Sequence, residues 1–354
     1  MPKISILTPS FNHEKFVGLF IESVLKQTLE DFELIIVDDC SSDNNVNEIL
    51  KFKDSRIKLI QHPYNQGINA GLNTAFENAN GEYLVFCASD DMLTPNALEV
   101  IYKAFSENPS IKAIYPSLVK VDKDGKRYGK NSVKKNIRTR EGYLYHFFMY
   151  GNYLTSPGMA MKTTDFKEIL YPLDIAMCNQ QDTQMHIKIL LNGEIKILDD
   201  ILVMYRFDPK TSNVSARTDK TIKRENMEIE RLMDTFLAMK DIDLLQKIFA
   251  KEIAKLGISP REDMIEYFLG RMALLSPIET RQMWGYHKVM ESYSSKEKAK
   301  LLKDIYDFDF KAYLGMLCHT EDKIAKKYRK YKKLFNIFLG VNIVLCGVIV
   351  WLIW

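Results

Sequence analysis

Pairs of aspartates follow two of the apolar segments in the first hundred residues. Asp38 and Asp39 end one segment in IIVDDCSSDN, and Asp90 and Asp91 end another in YLVFCASDDML. A carboxylate buried at a strand end needs a partner, because removing an ionised group from water is costly. A nucleotide supplies a partner for the first pair through a base N–H or a ribose hydroxyl, and Mg²⁺ or Mn²⁺ supplies one for the second through oxygen coordination. Each pair taken alone is equally typical of a helix cap.

Alternating apolar and amphipathic segments predict the elements that position these pairs. Strands are predicted at Ile4–Thr8, Phe32–Val37, Ile57–Gln61 and Tyr83–Cys87, with helices between them and a further helix capped by Thr94 before Pro95. Continuous apolar runs are expected of parallel strands that are covered on both faces. The series predicts an α/β fold with a mostly parallel sheet between helices, in which ligands bind at the carboxyl ends of the strands.

Periodicity and composition divide the chain into four predicted parts. Residues 1–115 form the βα series and residues 116–218 a less regular second half, which is dense in aromatic residues from Tyr143 to Tyr153. Those aromatics suit either a core or a platform for acceptor sugars. Residues 219–333 have helical periodicity and predict a helical appendage, and residues 334–354 form a separate apolar end.

Composition excludes several classes of protein. The 354 residues are 46% hydrophobic and 27% charged, which rules out wholesale disorder and small disulfide scaffolds. Five dispersed cysteines indicate reduced thiols in a cytoplasmic setting. The net charge of +3 hides an asymmetry, because seven of the 49 basic residues lie between Lys323 and Lys333, which leaves 42 against 46 acidic residues elsewhere. A mildly acidic body with a basic tail argues against nucleic acid as a partner.

The C-terminal segment Leu334–Trp354 predicts a membrane anchor. It contains no charged residue, and 21 residues in a helix span about 30 Å, the thickness of a bilayer's hydrocarbon core. The preceding basic run suits an anionic membrane surface, and the positive-inside rule then places the body on the cytoplasmic face of the inner membrane. No N-terminal signal is predicted before the first strand. A buried core helix and a helix lying in the membrane plane are the alternatives.

Several motifs in the same order resemble the family 2 glycosyltransferases with the GT-A fold. They are carried by ISILTPSFNHEKFV, ELIIVDDCSSDN, NQGINAGLNTAFENANGEYLVF and CASDDML, and the resemblance is strong over about residues 3–110 and weaker to about 215. It implies a Rossmann-like, mostly parallel sheet between helices, followed here by the helical appendage and the terminal membrane helix. It also implies a UDP-sugar donor and a divalent cation, Mn²⁺ or Mg²⁺.

The resemblance further implies roles for individual residues. The nucleotide-binding set is Thr8, Pro9, Asp39, Asn65, Gly67, Asn73, Asp90 and Arg206. The metal is assigned to the DxD-type pair Asp90 and Asp91, with Asp208 of the segment YRFD as a further contributor. Asp182, in the place of the family's Glu-Asp pair, is the implied catalytic base. The non-catalytic alternative for Asp182 is a helix N-cap or a surface acid, because this residue lies at the start of an amphipathic helix in CNQQDTQMHIKILL.

The chain also departs from the family pattern. Gly71-Leu72-Asn73 stands where Ala-Arg-Asn is usual, so an expected cation is missing, and Ala88 replaces the first acid of a longer acidic motif. Gln181 replaces a Glu, and Asp208 replaces a common His. These differences leave the metal pair and the base in place. They put in doubt which residues neutralise the diphosphate, for which Arg206 and Lys210 are candidates.

Together these features predict an inverting, metal-dependent glycosyltransferase acting at a membrane. The acceptor expected is a polyprenyl-diphosphate-linked glycan, as for a branching glucosyltransferase of bacterial N-linked glycosylation. Transfer to polyprenyl phosphate is the second enzymatic hypothesis, for which Lys134-Lys135 and Arg138–Arg140 are candidate phosphate-binding cations. A non-catalytic, nucleotide-sugar-binding scaffold is the third, because several motifs are altered.

Overall fold

The structure, a computed structural model, describes residues 1–127, 137–207, 218–317 and 331–333. Eight strands form one mixed sheet in the order β3-β2-β1-β4-β7-β6-β8-β5. Their bounds are β1 Ile4–Ser10, β2 Phe32–Asp38, β3 Ile57–Gln61, β4 Tyr83–Phe86, β5 Met92–Leu93, β6 Ala113–Val121, β7 Ala160–Lys162 and β8 Ile195–Arg206.

The first four strands confirm the predicted parallel series. β1 pairs in parallel with β2 and β4, and β2 pairs in parallel with β3. β7 runs antiparallel to both β4 and β6 and so joins the first half of the sheet to the second. Because β1 and β2 end side by side at Ser10 and Asp38, the residues that follow them lie at one edge of the sheet.

Helices cover the sheet and continue beyond it. Their bounds are α1 Val17–Leu25, α2 Asn45–Leu50, α3 Ile68–Glu77, α4 Ala97–Glu107, α5 Arg140–Met149, α6 Thr163–Ile169, α7 Gln181–Asn192, α8 Asp219–Asp234, α9 Ile242–Ile248, α10 Ala250–Leu256, α11 Ile265–Ala273, α12 Glu279–Ser292, α13 Lys296–Tyr306 and α14 Phe310–Leu317. The prediction that Thr94 caps a helix is wrong. α4 is preceded by Asn96, and the Thr94 N–H donates to the Leu202 carbonyl of β8.

The chain divides into two compact units, Met1–Val289 and Met290–Trp354. The first unit therefore holds the whole sheet and the helices α8 to α11 of the predicted appendage. The four predicted parts, with boundaries after residues 115, 218 and 333, remain a prediction. Among the described residues no helix is long and apolar enough to cross a bilayer, and the predicted anchor Leu334–Trp354 lies outside them.

Two polar side chains of the appendage are buried against the end of α5. Arg281 Nη1 donates to the Phe148 carbonyl at 2.8 Å, and Ser276 Oγ donates to the Met149 carbonyl at 2.7 Å. These bonds satisfy carbonyls that a helix leaves unpaired in its last turn. Burial lowers the pKa of Arg281 to about 10, and the guanidinium stays charged at neutral pH, where it complements the negative end of the helix dipole.

Candidate active site

Asp39, directly after β2, holds the loop that leads into α3. Its Oδ1 accepts from the Gln66 N–H at 2.8 Å and lies 2.7 Å from His62 Nδ1, and its Oδ2 accepts from the Gly67 N–H at 2.8 Å. Gly67 has φ +88°, a left-handed conformation that favours glycine. The carboxylate predicted to contact a nucleotide base is therefore oriented by backbone amides of the adjoining loop.

The neighbouring Asp38 holds the loop after β2 and the side chain of Asn45, and it does not cap the backbone of α2. Its Oδ1 accepts from Asn45 Nδ2 at 2.7 Å, and its Oδ2 accepts from the Ser41 N–H at 3.0 Å. Asn45 is the first residue of α2, and its Nδ2 also donates to Ser10 Oγ at 2.9 Å. The two aspartates thus have different roles, because one anchors the start of α2 and the other orients the loop before α3.

A chain of polar side chains continues from β1 to the second aspartate pair. Ser89 Oγ donates to Ser10 Oγ at 2.7 Å, and His13 Nδ1 lies 2.7 Å from Ser89 Oγ. His13 Nε2 lies 4.0 Å from Asp90 Oδ2. The structure therefore connects the ends of β1 and β2 to Asp90 through side chains that sequence reasoning missed, since a lone serine or histidine carries no distinguishing pattern.

Thr8 and Pro9 lie at the carboxyl end of β1. Thr8 is fully buried, and its Oγ1 has no hydrogen-bond partner within the part of the chain that is described. A Cβ placed on Gly71 of α3 would lie 3.4 Å from Pro9 Cβ, so the helix approaches the strand closely there. The buried hydroxyl of Thr8 fits a position that a ligand group completes, since orphaned buried hydroxyls are rare.

The three asparagines around α3 bond mainly to backbone. Asn65 Nδ2 donates to the Asp39 carbonyl at 3.3 Å. Asn73 forms two bonds with the backbone of Leu173, with its Nδ2 donating to the carbonyl and its Oδ1 accepting from the N–H. Asn69 Nδ2 donates to the Asp174 carbonyl at 2.7 Å. Helix α3 therefore holds the segment that precedes α7, whereas a direct nucleotide contact by Asn65 or Asn73 remains a prediction.

The predicted metal pair lies at the start of β5, against the end of β8. Asp91 is 1% exposed, and its Oδ1 accepts from the Arg206 N–H at 2.8 Å. Burial raises the pKa of the Asp91 carboxyl well above its ordinary value, and the adjacent Asp90 carboxylate raises it further, while the Arg206 N–H opposes both. Asp90 itself is half-buried.

Arg206 connects the metal pair to a neighbouring turn. Its guanidinium is buried and donates through Nε to the Asp90 carbonyl at 2.8 Å and through Nη1 to the carbonyls of Asp122 and Lys123 at 2.6 and 2.7 Å. It also lies 4.5 Å from the centre of the Phe16 ring. These contacts give Arg206 a role in holding the Asp90-Asp91 turn, and its predicted contact with the diphosphate remains untested.

The carboxylate chemistry of Asp90 and Asp91 suits a divalent cation. Their mutual repulsion shows an excess of negative charge that a cation offsets, and carboxylate oxygens are the ligands that Mg²⁺ and Mn²⁺ prefer. Across the described ranges, no group of three or more His, Cys, Asp or Glu side chains is arranged around one point. The predicted third contributor, Asp208, and the candidate cation Lys210 lie outside these ranges.

Asp182 lies in the first turn of α7, close to buried polar groups from other elements. Burial raises the pKa of its carboxyl above the ordinary value, and a hydrogen bond from the Ser156 hydroxyl lowers it. Ser156 Oγ lies 3.4 Å from His186 Nε2, and His186 Nδ1 lies 2.8 Å from the Tyr115 hydroxyl of β6. Asp182, Ser156, His186 and Tyr115, which we call the Asp182 chain, therefore form one hydrogen-bonded series.

One arrangement of protons satisfies the whole Asp182 chain. An ionised carboxylate only accepts, so Ser156 donates to Asp182, His186 Nε2–H donates to Ser156, and the Tyr115 hydroxyl donates to His186 Nδ1. Burial and the nearby Asp182 and Tyr143 raise the pKa of Tyr115 well above its ordinary value, which keeps the phenol protonated as the donor. Arg140 of α5 is not part of the Asp182 chain. It donates to the Leu190 and Leu191 carbonyls, at the opposite end of α7 from Asp182.

Sequence reasoning assigned no catalytic role to Ser156, His186 or Tyr115. Ser156 lies 26 positions before Asp182 and Tyr115 lies 67 before it, so no local spacing could have found them. The aromatic segment between Tyr143 and Tyr153 is mostly core, since Tyr143, Phe147 and Phe148 are buried. Tyr145 and Tyr153 are half-buried and Tyr150 is exposed, and a sugar platform formed by these three rings remains a prediction.

Comparison with known proteins agrees with this geometry. Residues 5–170 match the model for glycosyl transferase family 2. The chain is 29% identical over 223 residues to the Escherichia coli UDP-Glc:alpha-D-GlcNAc-diphosphoundecaprenol beta-1,3-glucosyltransferase WfgD, covering 63% of this chain and 83% of that protein. It is 24% identical over 331 residues to an uncharacterized glycosyltransferase of Nostoc, covering 90% and 98%.

The fold has solved relatives. The chain superposes on Staphylococcus aureus TarS 1–349, determined in complex with UDP-GlcNAc, with a TM-score of 0.54 and 19% identity over 89% of this chain and 90% of that one. This likeness shows a GT-A-like mixed sheet with a helical region after it. Residues 5–170 thus match a glycosyl transferase family 2 domain, and the chain is a glycosyltransferase.

Proposed function

We propose that this glycosyltransferase transfers a sugar from a UDP-sugar to a hydroxyl of a membrane-held, polyprenyl-diphosphate-linked glycan, with inversion at the anomeric carbon. The observation that carries the proposal is the carboxylate Asp182, which lies in the first turn of a helix and is held by a donor chain, in the same unit as the strand-end aspartates. The E. coli relative supports the UDP-glucose donor and the diphosphate-linked acceptor, because its name states both.

In this proposal the donor lies along the edge where β1 and β2 end. The uracil base contacts Asp39 and the region of Thr8 and Pro9, and the ribose and diphosphate extend past Asn65, Gly67 and Asn73 toward Asp90. The unpartnered hydroxyl of Thr8 and the amide-oriented carboxylate of Asp39 support this placement. Arg206 serves the diphosphate indirectly, by fixing the turn that carries Asp90 and Asp91.

The metal in this proposal is Mn²⁺ or Mg²⁺ held by Asp90 and Asp91, with Asp208 as a further contributor. Such a cation stabilises the negative charge that develops on a departing diphosphate. Leu72, which stands where the family has an arginine, is buried and brings no positive charge to the site. Among the described residues, the buried Arg206 brings positive charge beside the pair, and a divalent ion would add to it.

The displacement follows from the position of Asp182. Its carboxylate accepts the proton of the acceptor hydroxyl while that oxygen attacks carbon 1 of the sugar. The bond between carbon 1 and the UDP oxygen breaks on the opposite face, and UDP leaves with the bonding electrons. One displacement of this kind inverts the anomeric centre, through a state with oxocarbenium character.

Two alternatives are weaker. Transfer to polyprenyl phosphate calls for free cations near the acceptor, but Arg140 bonds to carbonyls of α7, and Lys134 and Lys135 lie outside the described residues. A non-catalytic scaffold fits poorly with a chain whose relatives are glycosyltransferases. Membrane attachment through Leu334–Trp354 on the cytoplasmic face remains part of the proposal, supported by the membrane-lipid acceptor of the E. coli relative and the basic run before this segment.

The activity is tested by measuring UDP release from a panel of UDP-sugars with two acceptors in vesicles. We expect turnover with a polyprenyl-diphosphate-linked GlcNAc and none with polyprenyl phosphate. A chain lacking residues 334–354 is expected to leave the membrane fraction and to lose activity mainly on the vesicle-held acceptor, because the loss lies in local concentration. Turnover with polyprenyl phosphate alone would favour the synthase alternative.

The metal site is tested with Asp91→Asn. Asparagine still accepts from the Arg206 N–H, and removing a buried charge with a raised pKa does not destabilise the fold, so thermal unfolding should be unchanged. Calorimetry should show donor affinity that depends on Mn²⁺ in the wild type and no longer in the variant. Asp124→Asn, an exposed carboxylate of the nearby turn, is the control. Wild-type turnover that survives excess EDTA would refute the metal assignment.

The base is tested through the pH dependence of kcat. Asp182 must be ionised to accept a proton, and burial raises its pKa, so kcat should fall on acidification at a higher pH than an ordinary aspartate gives. Ser156→Ala removes the donor that lowers this pKa and should move the acid limb to still higher pH. Ser106→Ala, whose hydroxyl bonds within α4, should leave it in place. If the acid limb of kcat is identical in the wild type, Ser156→Ala and Ser106→Ala, Asp182 is not the base.

A further inference from the structure

A glutamate of the appendage binds the backbone immediately before α7. Glu228 of α8 accepts through Oε1 from the Cys178 N–H at 3.1 Å and the Asn179 N–H at 3.2 Å. Its Oε2 accepts from the same Asn179 N–H at 3.0 Å and from the Gln180 N–H at 2.8 Å. One carboxylate therefore holds three consecutive amides that end two residues before Asp182.

This contact supports a helix start that has no side-chain cap, by holding the amides of the N-cap residue Gln180 and of the two residues before it. The residue before α7, Gln180, makes no capping bond with its side chain, so the first turn lacks the acceptor that a serine or aspartate usually supplies. A carboxylate is favoured at this place because the start of a helix carries partial positive charge. Bonds from an ionised acceptor are also about twice as strong as neutral ones. Glu228 therefore fixes where α7, and with it Asp182, begins.

The segment 173–180, which we call the base loop, is held from two sides. On the side of α3, Asn73 bonds to the backbone of Leu173, and Asn69 bonds to the Asp174 carbonyl. On the side of α8, Arg231 pairs with the Asp174 carboxylate, and Arg224 Nη1 donates to Asn179 Oδ1 at 3.1 Å. The base loop thus connects the nucleotide half of the sheet to the appendage.

We propose that Glu228 is a positioning residue for catalysis, which acts through Asp182 without touching substrate. This inference rests on the proposed function, because it requires Asp182 to be the base. It gives the appendage helix α8 a part in the reaction, although α8 lies beyond the matched family domain, which ends at residue 170. A misplacement of a catalytic group by about 1 Å can cost about 100-fold in rate, so a lost loop contact is expected to be visible in turnover.

The experiment compares five proteins, which are the wild type, three single variants and one double variant. Glu228→Gln keeps the side-chain shape, but its NH₂ group faces amide donors and cannot accept from them. Glu230→Gln is the matched control on the same helix, since that carboxylate is exposed and lies 3.6 Å from His287. Wild type, Asp182→Asn and the combination of Glu228→Gln with Asp182→Asn complete the set. Donor affinity, thermal unfolding and single-turnover rates with a radiolabelled UDP-sugar are measured on each.

We expect Glu228→Gln to lower the single-turnover rate about 10- to 100-fold with unchanged donor affinity, and Glu230→Gln to behave as wild type. In the Asp182→Asn background, Glu228→Gln should have little further effect, because a residue that acts through the base has nothing left to position. Glu228→Asp, which keeps the charge, should retain part of the rate and serves as the test if the glutamine variant does not fold.

Three results would overturn the inference. A wild-type rate in Glu228→Gln removes the role altogether. If Glu228→Gln lowers the single-turnover rate by the same factor in the wild type and in Asp182→Asn, Glu228 does not act through the base, while the proposed function stands. A wild-type rate in Asp182→Asn instead overturns the base assignment itself and the inference that rests on it.

Discussion

The buried and half-buried carboxylates around this site need hydrogen bonds, and backbone amides supply many of them. Two loop amides hold Asp39, one amide holds Asp91, and three amides hold Glu228. A carboxylate out of water is costly unless it is bonded in this way. The same bonds fix the loops that carry the amides. Because these carboxylates need hydrogen bonds, they hold the loops at the ends of β1 and β2 and the backbone at the start of α7.

Two arginines in the described part of the chain donate to backbone carbonyls near the site, and this affects how its charge is balanced. Arg206 donates to three backbone carbonyls, and Arg140 donates to two. Burial raises the pKa of Asp91, and the adjacent Asp90 carboxylate raises it further. In the proposed function, a divalent ion held by this pair would neutralise charge on the departing diphosphate. The buried Leu72, where the family has an arginine, agrees with this balance.

The sequence predicted the first half of the fold well and the second half poorly. The strands β1 to β4 are confirmed to within two residues, because continuous apolar runs leave little choice of structure. Sequence could not assign the two members of the Asp38-Asp39 pair, since their roles depend on Asn45 and Gly67, which the fold brings to them. The partners Ser156 and Glu228 of the α7 region were equally beyond prediction, because both contacts join distant parts of the chain.

In the proposed function, Asp182 is a base separate from the donor site. Asp182→Asn keeps the shape of the side chain but cannot accept the proton. The decisive measurement is donor affinity by calorimetry beside acceptor-dependent turnover, on one preparation. We expect a nearly unchanged UDP-sugar affinity, with turnover lowered by about 10²–10⁴. Unchanged turnover would contradict this role and assign Asp182 to the start of α7 alone, and a lost donor affinity would place Asp182 in the nucleotide site.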